Sequence, residues 1–312
     1  MGYGGLANAL RGEDRNQLLW VSGVFLHKSQ EALTGLKDEQ RREKMRQYLD
    51  LVLEKKEDFA IITMNVPEKL NALTDNMLHS LREVTHDLAE DEAVRAVILT
   101  GAGKAFCAGA DVSTIPKKYW QGGKRQFSRF EAAKVLGWQV FDIFPRLNKP
   151  VIAAIRGACV GGGLSLALMC DIRIASETAR FGAAQVSRGI VPDIGMTYYL
   201  PAVIGISRAM ELMCTAEIIG AEEGEKMGLV SKIAPDNILM PEAENIARRI
   251  ARQAPVAIEL TKKVVWQGRF DELNRQMDLE TWAQQICFGT DDHRNSVKAF
   301  LNKQPLPQFI GS

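Results

Sequence analysis

"GACVGGGLSLALMCD", residues 157–171, is the stretch on which the fold turns. Three consecutive glycines, Gly161 to Gly163, open a run too apolar for a surface loop. A glycine inside a helix costs about 1 kcal/mol against alanine, so helix stability does not explain them. They mark a place where something approaches the backbone too closely for any side chain. Just upstream, "VIAAI" (151–155) reads as a buried strand, and just downstream "DIRIA" (171–175) reads as another. A strand, a glycine-led helix over 162–169 and a second strand make an α/β unit.

The same alternation extends outward. "LVLEKK" and "FAIITMN", from residue 51, read as two strands joined by an "EDF" turn into a hairpin. Thr74 or Asp75 caps a helix whose apolar residues Met77, Leu78, Leu81, Val84 and Leu88 share one face. "AVILTG" (96–101) is a continuous apolar strand of the type buried on both faces. A helix is expected around 128–144. After about residue 195 the pattern is almost all helix, as at 255–267, with Pro255 in the first turn and Gly268 beyond the end. Such a helical C-terminal third suits a trimerisation or lid region.

Residues 1–50 stand apart. An apolar patch, "LLWVSGVFL" (18–26), precedes the charged "KDEQRREKMRQYLD" (37–50), and Met45, Tyr48, Leu49 and Val52 fall at helical spacing. This reads as a solvated helix packed by one stripe, or as an arm docking on a neighbouring subunit. The chain therefore divides into an N-terminal helical extension (1–50), an α/β core (51–254) and a C-terminal helical region (255–312).

Composition narrows the class. The 312 residues are 46% hydrophobic and 25% charged, with a net charge of +1, which favours a globular protein and gives no argument for nucleic acid or an anionic membrane as partner. Cys107, Cys159, Cys170, Cys214 and Cys287 are odd in number and never form a CxxC pair, so reduced thiols are expected rather than disulfides or a metal site. No apolar run reaches the roughly 20 residues of a membrane span. Glu13 and Asp14 stand before the apolar patch where a signal peptide carries basic residues, so a cytoplasmic location is expected.

Two glycine-bearing turns carry the unusual composition, "TGAGKAFCAGAD" (100–111) and "RGACVGGG" (156–163). Neither matches a Walker loop or a G-x-G-x-x-G opening a helix. Ser165 sits in Gly-Leu-Ser-Leu-Ala, which is no nucleophile elbow, and His27, His79, His86 and His293 are all remote from both turns in sequence. A backbone function remains. The helix that starts at 161–163 presents unpaired N–H groups, and a second N–H from the turn near Ala110 could converge with them into an oxyanion hole. Close packing of helix on strand would also select glycine.

"KAFCAGADV" (104–112) followed by "KPVIAAIRGACVGGGLSLALMCDIRIAS" (149–176) resembles the enoyl-CoA hydratase/isomerase (crotonase) superfamily. The resemblance runs from about 51 to 310 and includes "GLVSKI" (228–233) and the closing "KAFLNKQPLPQF". It implies a ββα spiral core and C-terminal helices that build trimers or hexamers. It also implies an acyl-CoA thioester as substrate, with no cofactor beyond that coenzyme A and no metal. The two oxyanion donors would be the N–H groups of Ala110 and Gly162. The CoA body would lie along Lys69, Asn71, Ala72, Ala108 and Asp111, with Phe300 and Lys303 closing over the adenine.

The pattern also departs from the family. Its hydratases place and activate water with two glutamates, where this chain has Ser165 and Gln185; neither side chain is a base at neutral pH, though both hydrogen-bond. Asp193, in "GIVPDIG" (189–195), matches an acidic position that acts on the acyl group in several family branches. By itself Asp193 reads equally as an N-cap of the following helix. Trp138 stands where the family's dehalogenases carry a histidine, which speaks against dehalogenation. The resulting expectation is an enolate-forming enzyme that shifts a double bond or hydrates a dienoyl or cyclic enoyl-CoA. The alternatives are hydrolysis or C–C cleavage of a β-oxoacyl-CoA, or a non-catalytic CoA- or RNA-binding relative.

Overall fold

The computed structural model describes residues 48–111 and 142–310. Residues 1–47, with Met45 of the expected helix stripe, and most of the helix around 128–144, with Trp138, lie outside the described residues. All described residues belong to one compact unit. Elements are numbered here over those residues alone.

Strands β1 (Leu51–Lys55) and β2 (Phe59–Met64) form the expected antiparallel hairpin, with Leu51 opposite Met64 and Lys55 opposite Ala60. Thr74 accepts a hydrogen bond from Met77 N at 3.0 Å and so starts helix α1 (Asp75–Glu90), which buries Met77, Leu81, Val84 and Leu88. Strand β3 (Ala96–Gly101) follows, then a single turn α2 (Ile143–Arg146) and strand β4 (Val151–Ile155). Next come β5 (Ala158–Val160), α3 (Gly162–Leu168), β6 (Ile172–Ser176) and β7 (Arg180–Gly182). Helices α4 (Met196–Ile204) and α5 (Ile206–Thr215), strand β8 (Ile218–Gly220), helix α6 (Ala221–Met227) and strand β9 (Ile233–Ala234) complete the core. The last four helices are α7 (Leu239–Ala251), α8 (Pro255–Gln267), α9 (Phe270–Phe288) and α10 (Asp291–Leu301).

Two sheets result. The larger runs β1-β2-β3-β4-β6-β9 and is parallel except at its first pair; the smaller runs β5-β7-β8. The units β4-β5-α3 and β6-β7-α4 each place one strand in each sheet before a helix, the repeat of a ββα spiral. The short strands β8 and β9 were not expected after 195, because two or three residues show no periodicity.

The central strands are apolar throughout because both faces are covered. Ala60, Ile62, Val97, Leu99, Val151, Ala153 and Ile155 join the core that includes α1 and α3. The alternate residues Phe59, Ile61, Ala96, Ile98, Ile152, Ala154 and Ile174 pack under α7, which presents Leu239, Ala243 and Ala247. Small residues at helical spacing let α7 lie close on the sheet.

The segment 48–52 corrects one expectation. Leu49 and Val52 are exposed, and residues 51–55 are strand, so the helical stripe does not reach them. Of the described stripe residues Tyr48, Leu49 and Val52, only Tyr48 is buried, its hydroxyl donating to Asp87 at 2.5 Å. An edge strand paired to β2 satisfies more backbone groups than a helix end here.

Candidate active site

The two glycine turns are brought side by side by backbone pairing. Cys107 N donates to Ala158 O at 2.9 Å, and Val160 N donates to Cys107 O at 3.0 Å, so the 105–111 turn runs along β5. On its other side Leu73 N donates to Gly109 O at 2.8 Å, and Leu73 bridges Ala110. The Ala110 peptide is thereby held against the start of α3. A methyl placed on Gly162 would lie 3.8 Å from Ala110 N and 3.0 Å from both Leu73 Cδ1 and Ile194 Cδ1. Neither Ala110 N–H nor Gly162 N–H has a hydrogen-bond partner among the described residues.

The three glycines turn out to serve three needs. Gly161 has φ +55° with open space around it, so its conformation selects glycine. Gly162 faces the small space bounded by Ala110, Leu73 and Ile194. Gly163 is a packing glycine, because a methyl there would come within 2.2 Å of Cys107 O. Both readings of the tract, close packing and a bare backbone at a pocket, are thus realised at neighbouring residues.

Asp193 stands beside this space. Its backbone carbonyl accepts the Ser165 hydroxyl at 3.0 Å, which links the 190–195 loop to α3 one turn beyond Gly162. Ser165 is fully buried, and this bond occupies its proton. The Asp193 carboxylate accepts from Gln284 Nε2 at 2.9 Å on Oδ2 and, at a longer 3.4 Å, from Gln185 Nε2 on Oδ1. Burial pushes its carboxyl up to about 6, against the opposing pull of the Gln185 and Gln284 hydrogen bonds. A carboxylate in that range suits a general base working near neutrality.

The helix-cap reading of Asp193 is overturned. Helix α4 starts at Met196 after Gly195, with no side-chain cap from Asp193. Glu280, from α9, takes that place: Oε2 accepts Gly195 N at 2.9 Å, and Oε1 accepts Thr197 N at 3.0 Å and the Thr197 hydroxyl. Burial, with the nearby Asp193 charge adding to it, pushes the Glu280 carboxyl up to about 7. Its oxygens are occupied by the α4 terminus, whereas the Asp193 carboxylate is met by the neutral amides of Gln185 and Gln284.

The residues expected along the CoA body form one woven turn. Ala108 N donates to Leu70 O at 3.0 Å, Ala72 N to Lys69 O at 3.1 Å, and Lys69 Nζ pairs with Asp111 at 3.0 Å. Asn71 is fully buried and its side chain is committed inward. Oδ1 accepts Val66 N at 3.0 Å, and Nδ2 donates to Ala102 O and Ala105 O at 2.9 and 2.8 Å. Only backbone groups at position 71 can face a ligand. Phe300 is on α10, with the Arg188 guanidinium 4.1 Å from its ring centroid, and Lys303 follows that helix in a left-handed turn at φ +54°.

Gln284, Glu280 and Ile194 escape a reading of the sequence. The first two lie four residues apart on α9, on the face that also buries Leu273 and Met277. That continuation of a buried face onto polar residues is the one signal, and it is visible only when the face is known to be buried.

Comparison with known proteins matches this geometry. Residues 54–311 match the family model described as enoyl-CoA hydratase/isomerase. The chain belongs to the enoyl-CoA hydratase/isomerase family. It is 38% identical over 263 residues to the short-chain-enoyl-CoA hydratase of Clostridium acetobutylicum, covering 83% of this chain and 97% of that one. It is 36% identical over 260 residues to the crotonyl-CoA hydratase of Syntrophomonas wolfei, covering 82% and 96%. Among solved structures, an enoyl-CoA hydratase/isomerase from Pseudoalteromonas atlantica superposes with TM-score 0.74 at 27% identity, over 84% of this chain and all of the other. A monofunctional enoyl CoA isomerase from M. smegmatis superposes with TM-score 0.59 at 38% identity, over 70% and 93%. Membership establishes the crotonase fold and an enzyme of the enoyl-CoA hydratase/isomerase superfamily. Relatives of both names occur at the same identity, so likeness does not separate hydration from isomerisation. Among the described residues, no helix is long and apolar enough to cross a membrane, and no group of three His, Cys, Asp or Glu is placed to hold a metal.

Proposed function

We propose that this family member isomerises the double bond of an enoyl-CoA through an enolate, with Asp193 as the shuttling base and no cofactor beyond the coenzyme A of its substrate. The carrying observation is a buried carboxylate in the loop next to two N–H groups that have no hydrogen-bond partner among the described residues, with Ser165 and Gln185 where the family's hydratases carry acids. Asp193 removes a proton α or γ to the thioester. The electron pair moves onto the carbonyl oxygen, where the N–H groups of Ala110 and Gly162 stabilise it. The protonated Asp193 then returns the proton to the other carbon, and the double bond is shifted with no change in composition. The CoA body lies along the 69–72 and 108–111 turns, Phe300 and Lys303 flank its adenine, and the enzyme works in the cytoplasm.

A second reading, hydration of a dienoyl or cyclic enoyl-CoA, has its own support. Gln185 Oε1 is buried with no hydrogen-bond partner among the described residues, and a buried acceptor of that kind suits an O–H donor such as water or a β-hydroxyl. Turnover across a panel of enoyl-, dienoyl- and β-oxoacyl-CoA thioesters decides between them. For either reaction Asp193 acts ionised, so kcat is expected to fall as pH drops through about 6. A rate that stays flat from pH 8 to pH 5 would remove Asp193 as the base.

We also propose a homotrimer or a dimer of trimers. Val256, Leu260 and Val264 on α8 and Leu279, Trp282 and Ile286 on α9 are exposed at helical spacing, apolar stripes that contact with a neighbouring subunit would cover. Light scattering in solution is expected to give three or six chains, and a monomer mass would sink the proposal.

A further inference from the structure

We propose that Gln284, carried on the C-terminal helix α9, is the positioning residue for Asp193, fixing which carboxylate oxygen faces the acyl pocket. This rests on Asp193 being the base. Gln284 is fully buried, and both ends of its amide are used: Nε2 donates to Asp193 Oδ2 at 2.9 Å, and Oε1 accepts Val191 N at 2.9 Å. Those two bonds set the amide orientation without ambiguity, since Val191 N is only a donor. They clamp the loop on both sides of Pro192 from a helix 91 residues away in sequence.

One turn earlier on the same face, Glu280 holds Gly195 N and Thr197 N, and Gln276 Nε2 donates to the Thr197 hydroxyl at 2.6 Å. Helix α9 therefore grips the loop at 191, 193, 195 and 197. With Oδ2 engaged by Gln284, Oδ1 is the oxygen left on the Gln185 side, in long contact at 3.4 Å. A carboxylate held on Oδ2 by a buried donor whose amide is itself fixed at both ends is restricted in orientation, which favours proton transfer to a fixed carbon. The other described groups around Asp193 are Ser165 and Gln185, both neutral, and Glu280, whose own ionisation the Asp193 charge opposes. Gln284 thus favours the ionised form of Asp193.

Two substitutions in the full chain separate positioning from mere attachment of α9. Gln284→Glu keeps an acceptor for Val191 N and the shape of the side chain, but replaces the donor to Asp193 by a second carboxylate. Gln284→Met keeps the volume and removes both bonds. The Asp193 carboxyl is titrated by carbon NMR, assigned by loss of its signal in Asp193→Asn, and kcat and KM are followed against pH on an acyl-CoA that the wild type turns over. In Gln284→Glu the Asp193 midpoint and the acid limb of kcat are expected to rise together by roughly one to two pH units, from loss of a charge-assisted hydrogen bond. KM is expected to change by less than about two-fold, because the groups proposed to hold CoA are elsewhere. Gln284→Met is expected to move both in the same direction. An unmoved midpoint, or a moved midpoint with an unmoved kcat profile, beside an inactive Asp193→Asn would overturn the positioning role alone. A fully active Asp193→Asn would overturn the base, and the proposal with it.

Discussion

Asp193→Asn is expected to lower turnover by about 10²–10⁴-fold, the span of a general base, with acyl-CoA affinity little changed. Asparagine keeps the size of the side chain and can still accept from Gln284 Nε2 through its carbonyl oxygen. What it loses is a site that can take up a proton. The fold has little at stake, because the α4 terminus is held by Glu280 and the Ser165 bond goes to the Asp193 backbone. Removing a charge buried in a poorly solvated loop also relieves a desolvation cost. The variant should therefore fold as well as the wild type and fail at the chemical step, seen as a drop in kcat with KM preserved. Near-normal kcat would end the proton-shuttle mechanism.

The second large effect is at Gly162. Gly162→Val puts branched carbon into the space in front of Ala110 N, and activity is expected to fall by about 10²–10³-fold, the cost of an oxyanion donor. The neighbours at 3.0 Å are the far ends of Leu73 and Ile194, flexible groups that can yield, so the unfolding temperature should change little. Gly163→Ala is the contrast. Its methyl meets Cys107 O at 2.2 Å, a backbone atom pinned by Val160 N, so that variant is expected to lose stability outright. Thermal unfolding beside kcat for the two variants separates a glycine kept for the pocket from a glycine kept for packing. Equal loss of stability at both would refute the assignment of Gly162.

Much of the core was legible in the residues. Period and capping located α1, the β1–β2 hairpin and the central strands, because those elements bury apolar side chains at regular spacing and obey local rules. The GGG tract pointed to close approach, and the family resemblance singled out Asp193. The reading faltered where periodicity is short or partners are remote. Strands β8 and β9 have too few residues to show alternation, and the 48–52 segment joined a sheet that its helical spacing did not foretell. Asp193 could not be told from a helix cap until Glu280 was seen in the cap's place.

Sequence by itself determined the α/β class, the two glycine turns, and the substitution of Ser165 and Gln185 for carboxylates. The first two follow from side-chain chemistry and spacing along the chain, the third from the resemblance to the enoyl-CoA hydratase/isomerase family. Only the tertiary structure decided which way helix α9 faces. Its apolar residues Leu279, Trp282 and Ile286 point outward, while Glu280 and Gln284 are buried over the 191–197 loop. Leu273 and Met277 are buried on that same face, so the apolar residues of α9 are divided between its two sides and do not by themselves choose the inward one. The buried amide and carboxylate are tolerated because they find backbone N–H groups and the Asp193 carboxylate as partners, and a buried polar group is tolerable only when its hydrogen bonds are met. Those partners lie some ninety residues upstream, where no local pattern can show them.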